Sequence, residues 1–132
     1  MLTQSAAPTR LLAVDDSADS AELVARVATN CGFDAQALSD PRRVASVLAS
    51  WKPDVLTLDL CMPDADGLDL LAVLQDAAFS GVLIIISGQD GWFRKAAARL
   101  AGTRGLTVVD DMQKPVDIGA LRQLLSGLRK AS

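Results

Sequence analysis

The 132-residue sequence contains no histidine and no tyrosine, and only two cysteines, two tryptophans and three phenylalanines. Without an imidazole there is no Ser-His-Asp or Cys-His catalysis, no histidine-ligated metal and no phosphohistidine on this chain. Cys31 and Cys61 are too few for a disulfide framework and match no zinc spacing, so a reducing, cytoplasmic compartment is expected. No apolar run approaches membrane-spanning length, and Met1 to Arg10 lacks a basic start followed by an apolar signal core. The net charge is small: 13 Lys and Arg stand against 16 Asp and Glu, a net of −3, with no long run of either sign. That leaves no electrostatic footprint for nucleic acid or an anionic membrane. Arg42-Arg43 and Arg129-Lys130 read as solvated helix faces or ends.

What is present is a chain half hydrophobic, dominated by Ala, Leu and Val, and long enough for one substantial core. The pattern places one domain over residues 10–130 behind a short tail, residues 1–9. Arg10 to Val14 reads as a first strand, stopped by Asp15-Asp16. Ser17 offers an N-cap to a helix whose apolar face is Ala21, Val24, Ala28 and Cys31, ended by Gly32. Phe33 to Leu38 alternates like an outer strand. Asp40-Pro41 caps and opens a second helix with Val44, Val47, Leu48 and Trp51 on its apolar stripe. Val55 to Leu58 is a third strand, Asp66-Gly67 closes the loop after it, and Leu68, Leu71 and Leu74 continue as a helix. Val82 to Ile86 is apolar at five successive positions, as a central parallel strand covered on both faces should be. Trp92 to Leu100, Leu106 to Met112 and Ile118 to Leu128 read as helix, strand and helix. Strands alternating with helices predict an α/β fold: a doubly wound, five-stranded parallel sheet with five helices.

In such a fold ligands gather beyond the carboxyl ends of the strands. Here those ends carry Asp15-Asp16, Asp59, Ser87 and Lys114-Pro115. The plain alternative for Asp59 is a strand-end carboxylate in solvent, and for Asp15-Asp16 a helix N-terminal cap; the company of three other polar strand ends favours a site. Clustered carboxylates are costly together without a cation, and oxygen ligands at an open position suit a hard divalent ion, Mg²⁺ being the usual one. Together with the Lys114 ammonium such an ion neutralises an incoming phosphoryl group, leaving one carboxylate as nucleophile for an acyl phosphate. Ser87 can donate a hydrogen bond to a phosphoryl oxygen.

These residues carry a resemblance. "VDDS" at Val14–Ser17, "LDLCMPDADG" at Leu58–Gly67, "IISG" at Ile85–Gly88 and "QKP" at Gln113–Pro115, in this order and spacing, resemble the receiver domain of two-component response regulators. The likeness covers about residues 10–130. It implies a flavodoxin-like sheet of strand order 2-1-3-4-5. It also implies Asp59 as phosphoacceptor, Asp15 and Asp16 as Mg²⁺ ligands with Asp59 and the backbone carbonyl of Cys61, and Ser87 and Lys114 on the phosphoryl group. The implied partners are a histidine kinase or histidine phosphotransfer protein. An output domain, outside this chain or in a separate protein, would follow, and a second copy of the chain is a further candidate partner. The stretch from Ala98 to Leu125 also looks like receivers that precede EAL-type cyclic-di-GMP phosphodiesterase domains. Beyond its own phosphorylation and dephosphorylation no catalysis is expected.

Rival readings fit less well. A haloacid-dehalogenase-type phosphatase needs a second acid two residues after its nucleophile, where this chain has Cys61. A dinucleotide binder needs a glycine-rich turn where this chain has Asp15-Asp16-Ser17, whose carboxylates would repel a pyrophosphate. A receiver-like module that binds partners without phosphorylation would be marked by a lost site residue, and none is lost. Met62-Pro63 reads as turn geometry and Cys61 as a small loop residue, while Trp92-Phe93 suits either core or partner surface. One departure from the resembled family stands out. Many receivers place Tyr or Phe three residues before the strand-five lysine, a ring that turns inward on phosphorylation. Here that residue is Asp111, whose charge is expected to keep it out of any apolar gap. A change at Ser87 should therefore spread through the Ser87–Gly91 loop into the helix bearing Trp92 and Phe93.

Overall fold

A computed structural model describes residues 9–60, 67–88 and 91–128 of the chain. Cys61, Met62, Pro63 and Asp66, Arg129-Lys130 and the side chain of Phe93, all singled out above, lie outside the described residues. The elements run β1 (Arg10–Val14), α1 (Ala18–Asn30), β2 (Asp34–Leu38), α2 (Val44–Trp51), β3 (Val55–Asp59), α3 (Gly67–Asp76), β4 (Val82–Ser87), α4 (Gly91–Thr103), β5 (Thr107–Gln113) and α5 (Ile118–Leu128). All strand pairs are parallel, in the order β2-β1-β3-β4-β5. This is the doubly wound sheet that the alternation of strands and helices predicts, in the flavodoxin-like strand order that the resemblance implies.

Local signals act as the sequence suggests, with one refinement. Ser17 accepts a hydrogen bond from the Ser20 amide and caps α1, and Gly32 follows the helix with φ +96°, a conformation that favours glycine. Asp40 accepts from the Arg42 amide, but the residues after it, Pro41–Arg43, form a 3₁₀ turn, and α2 begins only at Val44. Gly81 precedes β4 where a side chain has no room: a Cβ there would lie 2.1 Å from the Asp54 carbonyl oxygen.

The period-2 alternation of the strands divides the core into two layers. Leu12, Val14, Leu56, Leu58, Leu83 and Ile85 face α2, α3 and α4. Leu11, Ala13, Val55, Ile84 and Ile86 face α1 and α5, meeting Ala21, Val24, Val27, Leu121 and Leu125. Every residue of β3 is buried, as is β4 from Leu83 on, whereas β2 and β5 lie at the edges and are largely exposed. Strand β5 carries an irregularity. Leu83 registers with Val108 but Ile84 with Asp110, so Val109 is the extra residue of a bulge. Among the described residues no helix is long and apolar enough to cross a membrane.

Candidate functional site

The strands run the same way, so their carboxyl ends form one edge of the sheet. Asp59 is the last residue of β3 and only 2% exposed; Ser87 ends β4 and is fully buried. Asp15 and Asp16 follow β1, the first buried and the second exposed. Carboxylate oxygens of Asp15, Asp16 and Asp59 all lie within 4.8 Å of one another. Lys114, directly after β5, reaches into this group. Its Nζ donates to Asp15 Oδ2 at 2.7 Å and to Asp59 Oδ2 at 3.2 Å. The Lys114–Pro115 peptide bond is cis, and the Lys114 amide donates to the Ser87 carbonyl at 2.9 Å.

Electrostatics explain how these groups share one site. Partial burial by itself pushes the Lys114 ammonium toward losing its proton. The hydrogen bond and charge of Asp15, and then those of Asp59, outweigh it and raise its pKa above 10.5. The lysine is therefore a fixed positive charge. Asp15 is held in place from its other oxygen, Oδ1, which accepts from the Ser17 amide at 3.0 Å. One short turn thus caps α1 through Ser17 and orients a carboxylate through Asp15. Beside Asp15 and Lys114 a cavity of about 200 Å³ opens between α1 and α5, lined largely by Leu23, Val24, Ile118 and Leu121.

The site can hold a hard cation among its three carboxylates and present Asp59 to an electrophile beside a lysine ammonium. Residues 11–126 match the response regulator receiver domain family. The chain belongs to this family. It is similar to response regulator MprA of Mycolicibacterium vanbaalenii, at 29% identity over 122 residues, 92% of this chain and 49% of that protein. A protein-glutamate methylesterase/protein-glutamine glutaminase of Anaeromyxobacter dehalogenans is 33% identical over 125 residues, 89% of this chain and 34% of its own length. The crystal structure of a response regulator from Colwellia psychrerythraea aligns with a TM-score of 0.81 at 30% identity, covering 91% of this chain and 95% of that one. This chain, a receiver domain of two-component systems, spans half or less of the length of these two curated relatives.

The receiver brings together Asp15, Asp16, Asp59 and Lys114, and sets Ser87 on the adjoining strand end. The Cys61 carbonyl falls outside the described residues. Trp92 is 79% exposed, which decides between core and surface for that residue. Asp111 is partly covered by α4, and its carboxylate accepts from Arg94 Nη1 at 2.8 Å, with side-chain exposures of 18% and 13%. The group that meets its charge is a cation of the covering helix. Sequence reasoning missed this pair, although a signal existed. Arg94 shares the inner stripe of α4 with buried Ala97 and Ala101, an unusual place for a cation unless a carboxylate waits opposite.

Proposed function

We propose that Asp59 accepts a phosphoryl group from the phosphohistidine of a histidine kinase or phosphotransfer protein, within a functional unit of residues 10–130. The observation that carries this reading is the setting of Asp59. It is a nearly fully buried carboxylate at a strand end, 3.2 Å from a lysine ammonium and part of a three-carboxylate cluster. A buried carboxylate in such company is poised as a nucleophile rather than as a structural anion. In the transfer an Asp59 oxygen forms a bond to phosphorus as the nitrogen–phosphorus bond of the donor breaks, and the released imidazole takes up a proton.

Each neighbour then has a task. The Lys114 ammonium has three donors; Asp15 and Asp59 take two, and the third suits a phosphoryl oxygen. Its raised pKa keeps this donor charged throughout the neutral range. The Ser87 hydroxyl supplies a second donor from β4. Asp15, Asp16 and Asp59 fit Mg²⁺, since they offer only oxygen atoms close together at a mouth that Asp16 leaves open to water; the Cys61 carbonyl would be a further ligand by family resemblance. When bound, the ion offsets the negative charge of the carboxylates and of the arriving phosphoryl group.

The apolar cavity between α1 and α5 gives the donor protein a seat beside Asp15 and Lys114, with Leu23 42% exposed at its rim. The output belongs to the rest of the protein or to a partner. Incubation with Mg²⁺ and acetyl phosphate, followed by intact-mass spectrometry, should add one phosphoryl group that hydroxylamine removes. Asp59→Asn should add none. Stoichiometric labelling of Asp59→Asn would assign the acceptor elsewhere.

A further inference from the structure

The rim of the cavity beside Asp15 and Lys114 seats the donor protein in the reading above, but the cavity itself runs into the core. Leu23 and Pro115 at its edge are exposed, whereas Val24, Ile86 and Leu121 at its floor are core residues, none more than 6% exposed. Its volume of about 200 Å³ exceeds the roughly 150 Å³ of an engineered apolar cavity that stays dry and takes up benzene. Packed interiors leave few voids larger than a water molecule, so the meeting of α1 and α5 leaves room here for an organic molecule rather than for solvent alone. The polar groups gather at one end. Asp15, Ser20 and Lys114 line the cavity there, and the other lining side chains are apolar. An apolar hollow with a few convergent polar groups is the ordinary form of a small-molecule site.

The charges at that end select the ligand's polarity. Both Asp15 oxygens already accept, Oδ1 from the Ser17 amide and Oδ2 from Lys114, so a ligand cation would meet an ammonium before an unclaimed carboxylate. An anion fares no better. One ammonium stands against three clustered carboxylates, a local excess of negative charge that repels it. A neutral acceptor meets neither penalty, with or without a divalent ion in the cluster. Lys114 gives one N–H to Asp15 and one to Asp59, which leaves a third, and Ser20 adds a hydroxyl. We propose that this cavity binds a small neutral molecule with a compact apolar body, of roughly six to ten non-hydrogen atoms, and one carbonyl-type oxygen that accepts from Lys114 or Ser20. A regulatory consequence rests on the reading of Asp59 as phosphoacceptor. Lys114 cannot give the same N–H to the ligand and to a phosphoryl oxygen, so the bound molecule opposes phosphorylation.

The probe is acetophenone, a neutral aromatic ketone of this size, titrated into the methyl-labelled chain in metal-free buffer and followed by NMR. Benzoate serves as its anionic counterpart. Methyl signals of Leu23, Val24, Ile118 and Leu121 should shift saturably, with a Kd on the order of 1 mM for so small a ligand. Benzoate should bind about tenfold more weakly. Val24→Phe and Ile118→Phe fill the hollow from α1 and α5, and each should weaken acetophenone binding about tenfold. Ile118 is only half-buried, so its variant carries the comparison if Val24→Phe does not fold. With Mg²⁺ and acetyl phosphate, saturating acetophenone should slow phosphorylation of the parent about fivefold and have no effect on that of Ile118→Phe. No saturable shift in the parent, or equal affinity in the parent and a folded filled variant, overturns the site. Benzoate binding as tightly as acetophenone overturns its preference for a neutral ligand, and binding that leaves phosphorylation at its full rate overturns the competition at Lys114. Acetophenone binding by a parent that acetyl phosphate fails to label overturns the phosphoacceptor reading and leaves the site standing.

Discussion

The ammonium of Lys114 touches two carboxylates at once, and its loss has a defined signature. Lys114→Met would leave Asp15 and Asp59 buried side by side without their cation. Removing one partner of a fully buried pair costs about 3–5 kcal/mol, but Lys114 is more than a quarter exposed, so a loss nearer 1–2 kcal/mol is expected. The pH dependence follows from the direction of the shift. The folded pKa of Lys114 lies above its ordinary 10.5, so its contribution is fully present below that value and disappears as pH rises through the higher one. Urea unfolding of the parent and Lys114→Met should therefore differ by a constant amount across the neutral range and converge only in strong alkali. Convergence already near neutrality would mean that the lysine does not hold its proton in this site. The neighbouring pair at Arg94 and Asp111 shows the limit of residue-by-residue reading. Nothing local to Asp111 on its edge strand announces the cation that meets it, which comes from a separate element 17 residues earlier.

At the scale of elements, the sequence was legible wherever a local signal set the outcome. The apolar run of β4, the Ser17 cap and Gly32 each dictate structure from within a few residues, and the strands and helices stand where these signals put them. Bounds shifted where tertiary pairing extends an element beyond its apolar residues. Strand β4 takes in Ser87 and β5 runs to Gln113, because each still has a parallel neighbour to bond. The bulge at Val109 had no local signal at all, since register depends on the neighbouring strand. Four of the expected site residues, Asp15, Asp16, Asp59 and Lys114, come together for a topological reason: parallel strands deliver their ends to one edge. The cavity between α1 and α5 was not legible, because it arises from how two helices distant in sequence meet. It leads to a prediction specific to these helices. Leu23→Asp puts a charge at the rim of the apolar seat without touching Asp59. Its phosphorylation by acetyl phosphate should match the parent, whereas transfer from a phosphorylated histidine protein should slow at least tenfold, about 1.4 kcal/mol of lost docking. Rapid-quench transfer assays separate the two, and equal slowing with both donors would place the defect in the site rather than in docking.

The whole molecule feels the site through its stability. Three carboxylates converge where the sheet ends, and two of them are buried. Folding must bring these charges together, with Lys114 as the counter-charge observed on Asp15 and Asp59, so part of the gain from the two apolar layers is spent against their repulsion. A cation that binds the folded chain and not the unfolded one shifts the unfolding equilibrium by mass action. Mg²⁺ at ten times its dissociation constant should stabilise the receiver by about 1.4 kcal/mol, raising the thermal midpoint by roughly 3–7 °C for a domain of this size. Asp16→Asn should abolish most of that rise. Asp16 is exposed, so its amide variant should fold without the penalty attached to a buried group, and the loss of response can be read cleanly. Asp69→Asn, exposed on α3, is the matching control for a lost carboxylate elsewhere and should keep the full rise. Equal midpoints with and without Mg²⁺ in the parent would show that the lysine alone satisfies the cluster. An equal rise in Asp16→Asn would instead place the ion away from Asp16, and a rise lost in Asp69→Asn as well would make it a response to net charge.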